Sequence, residues 1–253
     1  MKNNNKKSLS SACILVIGDE VLSGRTEDKN INFIAKRCDN IGVSVNEVRI
    51  IPDDKETIKN TVLECYKKFD YIFTTGGIGP THDDITTECI ASAFNLDVEI
   101  NSEALKRLKD HYKKSNIELN NARIKMAKIP KGAKLIDNPV SSAPGFIVEN
   151  IYVLPGVPKI LQAMFKNLED EIKGITNMVS KNIIVYSPEG EIAAFLESIQ
   201  NEFADISIGS YPYFIPPDVG TNIVLRSIDK NLINEATIAI CRKLKENKIL
   251  FEE

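Results

Sequence analysis

Tyr71-Ile72-Phe73-Thr74-Thr75-Gly76-Gly77-Ile78-Gly79-Pro80-Thr81-His82-Asp83-Asp84-Ile85-Thr86 is an apolar run that breaks into a glycine-rich turn and then paired carboxylates. Glycines tolerate positive φ and, lacking Cβ, let backbone N–H groups come close to a ligand. A strand running into such a turn delivers those groups together. Ile85 to Phe94 reads as a helix with Asp84 or Thr86 near its cap, so its positive N-terminal end faces the same ligand. Phosphate or pyrophosphate is the natural guest. Asp83 and Asp84 repel that anion unless a divalent cation lies between them, and carboxylates with phosphate oxygens are what Mg²⁺ prefers. The stretch therefore points to a metal-assisted phosphate site with Asp83 and Asp84 as metal ligands. The alternative is a glycine-rich turn whose aspartates only cap a helix.

Around this stretch, strands alternate with helical patterns over the first 170 or so residues, which argues for an α/β fold, a mainly parallel sheet covered by helices in three layers. Cys13 to Ile17 is a strand of the buried kind. Asn30 to Ile41 sets Ile31, Ile34, Ala35, Cys38 and Ile41 on one helical face, and Gly42 stands where a helix C-terminal glycine belongs. Val43 to Ile51 is the next strand. Asp54 caps a helix that turns Ile58, Val62 and Cys65 inward, and Asp70 opens the strand leading to the glycine turn. Ligands of open parallel sheets gather beyond the carboxyl ends of the strands, where Gly18-Asp19-Glu20, Pro52-Asp53-Asp54 and Gly76 to Asp84 all fall.

Further along, helices are expected over Ser102 to Ser115 and Glu118 to Ala127, then a turn at Pro130-Lys131-Gly132 and a short strand near Lys134 to Ile136. The lysines of the first of these helices, Lys106, Lys109, Lys113 and Lys114, read as a solvated flank and receive no function. Phe146 to Val148 and Tyr152 to Leu154 suggest strands around a turn at Asn150. Leu154-Pro155-Gly156-Val157-Pro158 then bends the chain into a helix carrying Leu161, Met164, Phe165 and Leu168. After Gly174 come strand (Asn182 to Tyr186), helix (Glu189 to Phe203), two strands (Ile206 to Ser210, Thr221 to Ile228) and helix (Leu232 to Lys245), a small α+β domain of its own. The expected division is a flexible N-terminus over 1–11, a first domain over 12–174 and a second over 175–253.

Composition excludes several classes. The 253 residues are 43% hydrophobic and 26% charged with a formal net charge of -3, which offers no general attraction for nucleic acid. No run approaches the ~18 apolar residues that span a bilayer, and Ala12 to Ile17 is too short for a signal peptide core, so neither membrane insertion nor export is expected. The five cysteines are widely spread without a Cys-x-x-Cys pair and read as reduced core residues in cytoplasm. His111 lies on the lysine-rich helix, no Gly-x-Ser-x-Gly elbow is present and there is no zinc pattern, so no nucleophilic triad is expected.

The ordered set Ile17-Gly18-Asp19-Glu20, the helix holding Asn30, Pro52-Asp53-Asp54, Thr75 to Thr81, Asp83-Asp84-Ile85-Thr86, Ala143-Pro144-Gly145 and Leu154 to Pro158 resembles the MoaB/Mog molybdopterin-binding fold. It is most similar to the amino-terminal part of the CinA family, the competence- and damage-inducible proteins, and the tail with Gly190-Glu191 and Ile208 to Pro212 resembles their small second domain. The resemblance implies a cytoplasmic homo-oligomer, a dimer or trimer, that binds a nucleotide or pterin phosphate. CinA-like members are associated with metal-dependent hydrolysis of ADP-ribose-type pyrophosphates, relatives fused to FAD synthase suggest FAD, and Mog-type relatives adenylylate molybdopterin. By position, the resemblance makes Asp84 and Asp53 catalytic and assigns Gly76, Gly77, Gly79 and Thr81 to the phosphate loop. Asp19 and Glu20 match the Gly-Asp-Glu turn, while Pro80, Ser142, Gly145, Pro155 and Gly156 complete the ligand-contacting set. Ser141-Ser142 stands where such sequences usually read Gly-Thr, and Lys159 where they usually place Glu.

The leading expectation is hydrolysis of a nucleotide pyrophosphate, with Asp83, Asp84 and Asp53 holding Mg²⁺, Mn²⁺ or Co²⁺ that polarises the phosphoryl group and generates hydroxide. The glycine loop stabilises charge developing in the transition state. His82 either moves a proton near neutral pH or only packs. Glu20 orients water, binds a ribose hydroxyl or is a plain turn carboxylate. Two rivals use the same loop: adenylyl transfer to a pterin phosphate, and ligand binding without turnover.

Overall fold

Ser10–Ile17 (β1) is apolar from Ala12 onward, with Cys13, Ile14 and Leu15 fully buried, as expected of a strand covered on both faces. In the computed structural model, which describes residues 9–172, 178–215 and 218–253, β1 is an inner strand of a six-stranded sheet. It is followed by the short α1 (Asp19–Leu22), α2 (Asn30–Asn40), β2 (Val43–Ile51), α3 (Lys55–Lys68) and β3 (Tyr71–Thr75). Beyond the glycine turn come α4 (Thr86–Ala93), β4 (Val98–Ile100), α5 (Ser102–Lys114), α6 (Asn121–Ile124), a 3₁₀ turn (Lys125–Ala127) and β5 (Lys128–Pro130). The chain then forms β6 (Lys134–Ile136), β7 (Gly145–Val148), β8 (Ile151–Leu154) and α7 (Pro158–Leu168).

The strand order is β2-β1-β3-β8-β7-β6. β1 pairs parallel with β2 and β3, and β3 pairs parallel with β8, whereas β7 runs antiparallel to both β8 and β6. The mainly parallel sheet is thus present, with an antiparallel margin. Alternate residues of β1 feed two cores. Cys13, Leu15 and Ile17 meet Ile58, Val62 and Cys65 of α3, Ile90 of α4 and Leu108 of α5. Ala12, Ile14 and Val16 meet Ile34 and Cys38 of α2 and Leu161 and Phe165 of α7. Helices on both faces make the three layers. Phe73 of β3 is fully buried with its ring 5.2 Å from that of Phe165, and burying one such side chain is worth about 1.5–3 kcal/mol. All five cysteines are buried and unbridged.

Several expectations shift. The helix over 118–127 is reduced to α6 and the 3₁₀ turn, because Asn120 caps the short helix through Arg123 N–H and Lys128–Pro130 then pairs antiparallel with β4. That two-stranded ribbon was not expected, and neither was α1. Residues 1–8 of the expected flexible N-terminus lie outside the described residues, and Ser10 and Ser11 already belong to β1.

The chain folds as two compact units, Met1–Ile175 and Thr176–Glu253. The second carries β9 (Val179–Val185), α8 (Glu189–Glu202), β10 (Ser207–Ile215), β11 (Asp218–Ser227), α9 (Lys230–Glu246) and β12 (Phe251–Glu252). Its sheet, ordered β10-β11-β9-β12, is antiparallel and has its own core of Ile183, Leu196, Ile223 and Ile240. β10 extends five residues past the expected end at Ser210, and β12 was not expected.

Candidate functional site

Four parallel strands, β1, β2, β3 and β8, end at one edge of the large sheet, and hydrogen bonds tie together the turns beyond them. Gly18 N–H donates to Ile51 O of β2 at 3.1 Å, and Asp19 N–H donates to Asp53 Oδ2 at 3.0 Å, so the Gly-Asp-Glu turn and the Asp53 turn are one unit. Gly76 N–H donates to Leu154 O of β8 at 3.2 Å. Asn30 is buried, and its amide donates to Thr75 Oγ1 and to Gly156 O, each at 2.8 Å, which pins the start of α2 to the ends of β3 and β8. Asn30 therefore does more than start its helix.

The glycine turn needs glycine for steric reasons. Gly76 has φ 106° and Gly77 φ 67°, and a Cβ on them would fall 2.0 Å from Ile17 O and 2.1 Å from Thr86 Oγ1 respectively. Thr86, fully buried, clamps the turn by donating N–H to Gly77 O at 2.9 Å and Oγ1–H to Gly76 O at 3.1 Å. Helix α4 accordingly begins at Thr86 with Ile85 as its cap residue and no side-chain cap, so neither Asp84 nor Thr86 caps it. Among the described residues the N–H groups of Gly77, Ile78 and Gly79 make no hydrogen bond. Successive unpaired backbone donors are the groups from which anion-binding nests are built.

The paired aspartates separate in role. Asp84 turns back into its own loop, accepting Thr81 N–H at 2.8 Å and the Thr81 hydroxyl. Lys125, which sequence alone did not single out, closes the loop from the 3₁₀ turn, its Nζ donating to Thr81 O at 2.5 Å and Asp84 O at 2.7 Å. Its signal was faint, a single lysine between apolar neighbours. Asp83 is exposed, and the neighbouring Thr81 side chain first, then its own backbone N–H and the charges of His82 and Lys125, hold its carboxyl below the usual range. Asp53 goes the other way. Partial burial raises its pKa, and although the Asp19 N–H opposes this, the charges of Asp19, Glu20 and Asp83 add to the rise. Asp19, Glu20, Asp53 and Asp83 thus form a loose acidic ring around the turn.

Of the ligand-contacting residues, Asp19, Gly76, Gly77, Gly79, Pro80, Thr81, Pro155 and Gly156 lie along this edge and its loop. Gly145 is the buried first residue of β7, beside the end of β8, where a Cβ would fall 2.3 Å from Val153 O. Ser142 sits instead beside His111 of α5, its Oγ 3.3 Å from Nδ1. His82 is exposed, and Lys159 is exposed on the first turn of α7.

Asp53 and its acidic neighbours favour a cation, and the buried Asn30 Oδ1 has no hydrogen-bond partner among the described residues. Among the described residues no three His, Cys, Asp or Glu side chains are grouped so as to hold a metal ion by themselves. Among the same residues no helix is long and apolar enough to cross a membrane.

Comparison with known proteins agrees with this architecture. Residues 13–173 match the family described as a probable molybdopterin binding domain, and residues 177–253 match the family described as FAD synthase, middle domain. A Pyrococcus abyssi protein is 34% identical over 235 residues, covering 88% of this chain and 92% of its own length. An Archaeoglobus fulgidus protein is 36% identical over 201 residues, covering 79% and 84%. The crystal structure of CinA from Thermoplasma acidophilum, described as of unknown function, superposes with a TM-score of 0.60 and 34% identity over 64% of this chain and 99% of that one. With its glycine turn, its strand order and these matches, the chain belongs to the MoaB/Mog-like family of probable molybdopterin binding domains, in the CinA-like form.

Proposed function

We propose that the chain binds a nucleotide or pterin phosphate at the glycine turn and, with a divalent ion, hydrolyses a nucleotide pyrophosphate of the ADP-ribose or FAD type. The observation that carries the reading is the juxtaposition of three unpaired N–H groups, Gly77 to Gly79, with an acidic ring in which Asp53 is already disfavoured as an anion. Donors of the first kind attract phosphate, and carboxylates of the second kind reject it unless a cation lies between. The match of the second unit to an FAD synthase domain supports a dinucleotide over a simple phosphate ester.

In this reading the amides of Gly77, Ile78 and Gly79 orient one phosphoryl group and stabilise charge as it grows in the transition state. A bound Mg²⁺, Mn²⁺ or Co²⁺ would supply charge neutralisation and an acidified water, and Asp53 and Asp83 would hold it together with phosphate oxygens and water. Glu20 would orient water from its exposed turn, and His82 is exposed beside Asp83 on the glycine loop. Asp84 and Lys125 act by fixing the loop rather than by touching the reacting atoms. Adenylyl transfer to a pterin phosphate is the second reading, favoured by the family's description as molybdopterin-binding. Assembly as a dimer or trimer belongs to the same proposal; the sheet-edge strand β2 leaves Val48 and Ile50 exposed.

The test is release of AMP from ADP-ribose and FAD with each of the three metals, comparing the native chain with Asp53→Ala. Metal-dependent AMP that falls at least a hundredfold in the variant supports hydrolysis, since groups at a reacting centre are commonly worth about 10²–10⁴ in rate. Product only when a pterin acceptor is added points to transfer. Absence of turnover by the native chain with any metal removes the hydrolase reading for these substrates.

A further inference from the structure

Sequence alone gives the basic flank of α5, His111 included, no role, yet the fold brings it against the loop before β7. Arg107, His111, Lys114, Asp110, Asp137 and Ser142 line an open cavity of about 410 Å³ floored by Asn138. The loop is built rigidly. Asn138 is buried, its Oδ1 accepting from Val140 and Ser141 N–H and its Nδ2 donating to Ser141 Oγ and Ala143 O. It holds Ser142 at φ 61°, a left-handed backbone that a non-glycine residue adopts only when its surroundings impose it, and this aims the hydroxyl at His111 Nδ1. Arg107 is fixed too, donating Nε–H to Glu103 at 3.0 Å and Nη1–H to Asp137 at 3.1 Å.

This cavity adjoins the glycine turn. Pro144, two residues after Ser142, lines the small cleft beside Gly79 and Asp84, and two residues of chain span at most about 7 Å. The lining decides the guest. Arg107 and Lys114 are balanced by Asp110 and Asp137, so a bare anion gains little from net charge. A group that offers both donors and acceptors gains most: the carboxylates accept from hydroxyl or amino groups, Arg107 and Lys114 donate to carbonyl or ring nitrogen, and the His111–Ser142 pair serves either way.

We propose that this cavity receives the nucleoside end, sugar hydroxyls and base edge, of a ligand whose phosphates rest on the glycine turn. The proposal rests on the phosphate reading above and names the half of the ligand that the acidic ring leaves unexplained. Isothermal titration of the full chain with ADP-ribose and with inorganic pyrophosphate, both with Mg²⁺, tests it. Ser142→Gly tolerates the left-handed backbone and removes the hydroxymethyl side chain, while His111→Ala removes the ring. Each is expected to weaken ADP-ribose about fivefold to tenfold, the effect of one or two lost hydrogen bonds, and to leave pyrophosphate within about twofold. ADP-ribose affinity unchanged in both variants overturns the nucleoside subsite and leaves the phosphate reading standing. Equal weakening of both probes also overturns it, because the residues would then act through the phosphate loop. A native chain that binds neither probe overturns both readings.

Discussion

Residue by residue, the site is a conflict between groups of one charge held at close quarters. Asp53 shows it most clearly, because burial together with Asp19, Glu20 and Asp83 disfavours its anion in the folded state, the Asp19 N–H only partly offsetting them. A carboxyl whose folded pKa is raised stabilises the fold fully below the unfolded aspartate value of about 3.9, and that contribution is lost as pH rises through the folded value. Asp53→Asn keeps an oxygen to accept the Asp19 N–H and removes the charge. Its melting temperature should therefore exceed that of the native chain at pH 7 without divalent ions, and the gain should vanish below about pH 3.9. Calorimetry across that range decides it; a variant less stable than native at pH 7 would mean that the acidic ring is not in conflict.

Among the strands and helices, the edge is made by the ends of β1, β2, β3 and β8 and by the helix that Asn30 begins. Asn30→Ala removes two hydrogen bonds that join α2 to the ends of β3 and β8 and leaves the buried Thr75 hydroxyl with only a long, 3.3 Å contact to Pro155 O. A loss of about 1–3 kcal/mol in denaturant unfolding is expected, since a buried polar group then goes unsatisfied. A change under about 0.5 kcal/mol would show that Asn30 only starts its helix. The buried strands and the glycine turn were legible in sequence because their signals are local: an apolar run, a turn residue, a cap such as Asp54, which accepts Thr57 N–H at 2.9 Å. What depended on distant pairing was not. β4 and β5 are three residues each and exist only because they pair, and nothing near Lys125 in sequence announces Thr81 or Asp84. The paired aspartates look equivalent in sequence, and only the closed loop shows that Asp84 is occupied by Thr81.

Taken whole, the molecule contains two units with separate cores. Ile223 and Ile240 are fully buried in the second, far in sequence from the glycine turn. Ile223→Ala should cost about 2–5 kcal/mol through a cavity in that core. Hydrogen exchange should quicken in β9 to β11 and α8 to α9 while the amides of β1 and β3 keep their protection. Equal loss of protection in β1 and β3 would show that the two units unfold as one. Residues 177–253, which fall in the second unit, match the family described as FAD synthase, middle domain.

If phosphate and carboxylates share the glycine turn only through a cation, titration of the native chain with inorganic pyrophosphate, with and without Mg²⁺, will reveal it. Binding should be at least tenfold tighter with Mg²⁺, a difference of about 1.4 kcal/mol or more, and that difference should be lost in Asp53→Ala. Pyrophosphate bound equally well without the ion, or an ion effect untouched by the substitution, would refute the cation bridge.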